Sequence, residues 1–332
     1  MDRFTLTGPV FDGEKVYECA RVTVENGVIT ELTPADKTDD SGLFIMPGLI
    51  DGHVHLSREE QIRDFLSCGI TTVCDISAPG DVKNRRGKLN IHTACIAATG
   101  DTDDGRAFVK EAIEAGADYI KLFLEIPPSM AGRTMPQQVL EDIVTSAHEN
   151  NLKVIAHAAS VPVVEMAEKA SVDILLHTPM RTPFPEELAD RIKAKKLVFM
   201  PTILMMKYFT IEPFREYDES GLENAVNAVK LLRDKGVPVL VGTDANDSDF
   251  VPKVSHGQSI FTEMEMLCDC GLTPTEVLRG ATSKNADAFC LDNIGRIAPG
   301  KKADLILIKG RPDKNISDIR NIERIYVSGE KL

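Results

Sequence analysis

No stretch of this chain approaches the ~18 consecutive apolar residues that a membrane-spanning helix requires. The opening segment MDRFTLTGPVFDGEKVYECARV lacks the apolar core of a secretory signal. Positive charge is in deficit: 38 Lys and Arg face 51 Asp and Glu, for a formal net charge of −13. That balance excludes a broad cationic footprint for nucleic acid or anionic lipid, but it says little about a small-molecule substrate, because a local pocket can carry the opposite sign. Cysteine is sparse. Cys19, Cys68, Cys74, Cys95, Cys268, Cys270 and Cys290 are odd in number and lack framework spacing, which implies reduced thiols and a cytoplasmic location. Cys268 and Cys270 form the one close pair, and no second pair completes a tetrahedral zinc set. A glycine-rich nucleotide turn is also missing, because Pro47-Gly48-Leu49-Ile50-Asp51-Gly52 does not have G-x-G-x-x-G spacing.

What is present is ordinary globular composition, 43% hydrophobic and 27% charged. Near the start, Arg21-Val22-Thr23-Val24-Glu25 and Val28-Ile29-Thr30-Glu31-Leu32 flank Asn26-Gly27, a dipeptide suited to the left-handed backbone of a tight hairpin. Near the other end, Ala303–Ile308 and Arg324–Val327 are strand-like. Both ends therefore predict β-structure. Between them, short apolar runs alternate with helical patterns such as Glu141–His148 and Leu222–Lys235, the signature of βα units around a parallel sheet. The runs are Leu49–Leu56, Thr71–Ser77, Leu89–Ala97, Tyr119–Glu125, Lys153–Ala159, Asp173–Thr178, Leu197–Leu204 and Val237–Asp244. Eight such units match a (β/α)8 TIM barrel, of about 250 residues in typical cases. The expected organisation is a barrel over residues 47–290 and a small β-sandwich domain from residues 1–46 plus 291–332.

The polar residues at the ends of these runs carry the chemistry. His53 and His55 stand two apart in a strand and so share a face, an arrangement that suits a divalent metal. A lone pair of this kind could equally be two hydrogen-bonded core histidines. Three further ligand-type residues, however, close other runs: His157 the fifth, His177 the sixth and Asp244 the eighth. Barrel strand tips converge on one mouth, where such enzymes place their active sites. Lys121 lies inside Tyr119-Ile120-Lys121-Leu122-Phe123-Leu124. A buried ammonium is costly, and burial beside metal cations lowers its pKa toward the free amine. That amine can add carbon dioxide and become a carbamate able to bridge two metals. A lysine snorkelling to the strand end is the plainer alternative, and it loses ground beside four histidines and an aspartate on neighbouring strands.

Pro47-Gly48-Leu49-Ile50-Asp51-Gly52-His53-Val54-His55 resembles the signature of the amidohydrolase superfamily. The order of candidate ligands is similar too, and so are Thr273–Leu278, Ala281-Thr282 and Pro299–Leu305. Within that superfamily the chain looks closest to the imidazolonepropionase-like and Xaa-Pro dipeptidase-like group, through Gly116-Ala117-Asp118-Tyr119-Ile120-Lys121. The resemblance implies two divalent cations, zinc by default with manganese, iron or cobalt as alternatives. His53, His55 and Asp244 would hold the more buried ion, His157 and His177 the other. Carboxylated Lys121 and a hydroxide would bridge them. Asp244 would be the catalytic proton carrier, and the exposed ion would polarise a scissile carbonyl.

Tyr208, Arg181 and His256 are candidate substrate contacts, as an oxyanion donor, a carboxylate clamp and a pocket residue respectively, each set against a plain packing or surface role. His92 and His148 are expected to be structural. The loop after the third run is short beside the dipeptidase-like relatives, which implies trimmed substrate loops. The expected activity is hydrolysis of an amide-like C–N bond in an N-acyl amino acid, a dipeptide or a cyclic amide. Lactone or phosphotriester hydrolysis at the same site is an alternative. Heterocycle deamination is another, against which stand Lys121 and the distance in sequence of Glu165 from His157. A catalytically silent scaffold would have lost ligand positions, and all six are filled. Whether the chain forms a homo-oligomer is left open by the sequence.

Overall fold

The protein is described from a computed structural model that covers residues 3–36, 42–76, 87–127 and 133–332. In chain order its strands begin with β1 (Arg3–Phe11), β2 (Val16–Glu25), β3 (Val28–Pro34) and β4 (Phe44–Pro47). They continue with β5 (Leu49–Val54), β6 (Ile70–Asp75), β7 (Asn90–Thr93), β8 (Ala97–Ala98), β9 (Ile120–Phe123), β10 (Val154–His157), β11 (Ile174–Leu176) and β12 (Val198–Met200). After a helical stretch come β13 (Leu305–Ile308), β14 (Ile322–Val327) and β15 (Glu330–Lys331).

The two ends of the chain meet in a single sheet, ordered β15-β14-β13-β4-β1-β2-β3. Asn26 and Gly27 both adopt positive φ, 51° and 79°, so the dipeptide makes the expected hairpin turn between β2 and β3. The sheet curls until Ile29 N–H donates to Lys301 O at 2.8 Å and Ala303 N–H to Gly27 O at 2.9 Å. The concave side encloses its own core of Leu6, Val10, Val22, Val24, Ile29, Ile45 and Leu305.

The middle of the chain is a (β/α)8 barrel. Parallel pairing runs β5-β6-β7 and β8-β9-β10-β11-β12. The third predicted run is divided between the two groups: β7 pairs with β6 and β8 with β9, and Cys95, at φ 62°, turns the chain between them. Tyr119, fully buried, donates its hydroxyl to Asp75 O at 2.7 Å and His92 O at 3.1 Å and so ties the second, third and fourth units together. Ser77, the last residue of the second run, lies outside the described residues.

The eighth run, Val237–Asp244, forms no continuous strand, yet it closes the barrel. Leu240 N–H donates to Phe199 O at 2.8 Å on one side, and Gly52 N–H to Val241 O at 3.1 Å on the other. Pro238 has no N–H to give to a ladder, and Asp244, at φ 59°, leaves extended geometry. The sixth run ends in the same way, with His177 at φ 68° just past β11. In the seventh, β12 stops at Met200 and Leu204 already belongs to the helix Ile203–Tyr208. Helices Gln137–Glu149 and Glu219–Asp234 stand where their periodicity predicts.

A Cβ on Gly27 would lie 2.5 Å from Ser328 O, and its φ disfavours side chains. Gly27→Ala should therefore cost about 1–3 kcal/mol. An unchanged midpoint in urea denaturation would contradict this.

Candidate metal centre

The Asp51-Gly52-His53 sequence works as a staple. Buried Asp51 accepts hydrogen bonds from Thr243 N at 3.0 Å, Thr243 Oγ1 at 2.7 Å and His53 N at 3.3 Å. Desolvation pushes its carboxyl up to about 7, against the pull of these donors. The staple joins β5 to the eighth run next to both functional tips, and Asp244 N–H completes it by donating to His53 O at 2.8 Å. Two glycines allow close backbone approach: a Cβ on Gly52 would lie 3.1 Å from Val241 O, and one on Gly242 3.0 Å from His53 N. The same Cβ atoms would also lie 2.3 Å from Met200 Cε and 2.3 Å from Met200 Sδ respectively.

Asp244 Oδ1 sits 3.2 Å from His53 Nε2 and 3.1 Å from His55 Nε2, and the two imidazole nitrogens are 3.4 Å apart. The His53 ring is 5.1 Å from that of His177, which is 4.5 Å from that of His157. Ligand atoms of His53, His177 and Asp244 all lie within 4.8 Å of one another. Lys121, on β9 beside β10, is 4% exposed, and its charge is felt by His53, His157 and His177.

Burial dominates the electrostatics. It drives His53 down to about 4 against the attraction of Asp244, His157 down, and His177 well down. It drives the Lys121 amine down to about 7, opposed by Asp244. Burial works against ionised Asp244 as well, but His53, His55 and His177 hold its carboxyl well below the usual range. Neutral imidazoles with free lone pairs around an anionic carboxylate are a donor set that fits a divalent cation. Outer partners fix two of the rings: Thr202 Oγ1 lies 2.8 Å from His177 Nδ1, and Glu125 Oε1 lies 2.7 Å from His157 Nε2. His53 Nδ1 is buried without a hydrogen-bond partner.

The other candidates lie further out. His256 Nε2 is 3.0 Å from His55 O, and its ring packs edge-on against Phe65, so it braces the backbone of the His53–His55 segment. Arg181 stacks on Tyr217 and pairs with Glu216 at 2.6 Å. Tyr208 ends the helix Ile203–Tyr208, half-buried against the core. His148 pairs with Asp173 at 2.9 Å. Glu125, Thr202 and Asp51 are site residues that sequence reasoning passed over as such. Glu125 stands four residues past Lys121, beyond the tip of β9, and that position was the one available signal.

A sequence profile of the Amidohydrolase family matches residues 44–332. The chain belongs to that family. Its members are typically metal-dependent, and among the described residues His53, His177 and Asp244 form a group that could hold a metal ion. This amidohydrolase is 24% identical to an adenine deaminase of Lysinibacillus sphaericus over 362 residues, which cover all of the chain and 57% of that protein. It spans between 50% and 60% of the length of the first five adenine deaminases it matches. A solved Xaa-Pro dipeptidase with bound methionine in the active site superposes with a TM-score of 0.82 at 20% identity over the whole of both chains. Ochratoxinase from A. niger superposes at 0.84 with 17% identity, over 99% of this chain and 95% of its own. At such identities the superpositions establish the fold.

A lysine pKa lowered from 10.5 to about 7 means that the metal-free fold carries a penalty below pH 7. That penalty is relieved as pH rises toward the unfolded value. Metal-free Lys121→Met should therefore be more stable than metal-free wild type at pH 6–7, on the order of a few kcal/mol, with the gap shrinking toward pH 10. Urea denaturation in chelator reads this out; a gap that is absent at low pH or widens with pH would refute it.

Proposed function

We propose that the protein is a metal-dependent hydrolase of an amide-like C–N bond in a small molecule: an N-acyl amino acid, a dipeptide or a cyclic amide. The observation that carries this reading is the gathering of His53, His177 and Asp244 at one desolvated mouth, where burial keeps the imidazoles neutral. In this reading residues 47–290 are the catalytic barrel, and residues 1–46 plus 291–332 are a separate small domain. The seven scattered thiols support a cytoplasmic setting.

His53, His55 and Asp244 would hold one cation, His157 and His177 a second, with a carbamate on Lys121 joining them. Zinc is the default, and manganese, iron or cobalt would suit the same donors. Such cations supply Lewis acidity and, from water, a nucleophile at neutral pH. Asp244 takes the proton of the attacking water at Oδ2 or Oδ1 and delivers it to the leaving nitrogen. Lys121, with its amine lowered to about 7, is free to take up carbon dioxide near neutrality. Thr202 and Glu125 orient the His177 and His157 rings. The likeness to a dipeptidase holding an amino acid supports an amino-acid-like substrate.

A specific observation favours deamination as the second reading. Glu125 places a carboxylate 2.7 Å from the strand-five histidine, the neighbourhood in which deaminases of this superfamily use a glutamate. The adenine deaminase relatives agree with it.

The deciding experiment loads the protein with metal and offers amides, dipeptides and cyclic amides in one arm and amino-heterocycles in the other, with ammonia release followed. About two ions per chain and turnover in the first arm are expected; a protein that takes up no metal would sink the proposal. Lys121→Ala should lose at least one ion and about 100-fold or more in rate, with partial rescue by short carboxylic acids. Full activity in that variant would remove Lys121 from the site. For Glu125→Gln, the amide reading expects a loss that follows metal content and is reversed by excess metal. The deaminase reading expects a fall of roughly 100- to 10,000-fold in kcat at unchanged metal content.

A further inference from the structure

We propose that Glu263 is a positioning residue for His177, acting through the loop that carries Thr202. The inference rests on His177 being a metal ligand. Thr202 occupies the N-cap position of the helix Ile203–Tyr208, where a threonine hydroxyl would ordinarily accept from that helix's own first N–H groups. It makes no such bond. The hydroxyl instead faces His177 Nδ1 at 2.8 Å. The orphaned N–H groups are taken over by a side chain 60 residues further along the sequence: Ile203 N–H donates to Glu263 Oε1 at 2.9 Å and Leu204 N–H to Glu263 Oε2 at 2.8 Å.

Glu263 belongs to the helix Ser259–Asp269 and is fully buried. Burial pushes its carboxyl up to about 8 while the two donors pull the other way, so the group is held there at a cost in desolvation. Its effect is to release Thr202 from capping. Thr202 also sits at φ 46°, a strained conformation that needs outside support. Thr178 supplies part of that support by donating Oγ1–H to Pro201 O at 3.0 Å, and Glu263 adds to it on the following residues by accepting from Ile203 N–H and Leu204 N–H. The result is a relay of contacts from one outer helix to a single imidazole, in which the last step fixes the Nδ1 of His177.

The test compares Glu263→Gln, Thr202→Val and the double variant with wild type, reading metal affinity by chelator competition and stability by thermal unfolding. Gln keeps the shape but replaces one acceptor with a donor; Val keeps the branched shape and removes the hydroxyl. Each single variant should bind metal about 10- to 100-fold more weakly. The double variant should be no weaker than the worse single, because both lie on one path. Thr202→Ser should bind like wild type. A Glu263→Gln protein with a lower Tm and wild-type metal affinity would overturn the proposal, as would additive losses in the double variant. If Glu263→Gln does not fold, wild-type affinity in Thr202→Val overturns it alone. Absence of metal binding by wild type would instead refute the metal reading of the site.

Discussion

The carboxylate of Asp244 is the one fixed charge around which the mouth of the barrel is arranged. Desolvation drives His53, His157, His177 and Lys121 toward neutrality, while the surrounding histidines hold the Asp244 carboxyl well below its usual range. Its backbone is tied to His53 and its neighbour Thr243 to Asp51, so the charge and the staple that positions it are parts of one structure. A site of this kind is poor as a core and good as a cation trap. It concentrates lone pairs among largely buried side chains, with His55 at the more exposed margin.

Much of this was legible in the sequence because strands have a strict period. His53 and His55 had to share a face, and His157, His177 and Asp244 each stood at the tip of an apolar run. Lys121 declared itself by its misfit with its neighbours. Asn26-Gly27 was readable because its backbone preference is local. What escaped reading was long-range or conformational. Nothing near Glu263 in the chain points to Thr202, and nothing near Glu125 names His157 as its partner. The split of the third run at Cys95 and the turn at Asp244 that ends the eighth coincide with positive φ at non-glycine residues, which side-chain patterning does not encode.

Family membership and chemistry rest on different grounds here. The profile match places the chain among the amidohydrolases, and superpositions at 17% and 20% identity establish a shared barrel. A barrel of this type hosts many reactions. The barrel therefore leaves the reaction open, and the proposed readings diverge on the role of the Glu125 carboxylate beside His157.

Strand β4 leads through Pro47 and Gly48 into the strand that bears His53, and its main partner is β13, which it meets over four residue pairs. β13 is synthesised only after the whole barrel. On its other side β4 is held through one register pair with β1, Val10 with Ile45. Without β13, β4 would leave a row of backbone groups unpaired, the kind of edge that invites pairing with other chains. β13 covers this edge and so braces, from the far end of the chain, the segment that leads into the histidine-bearing strand.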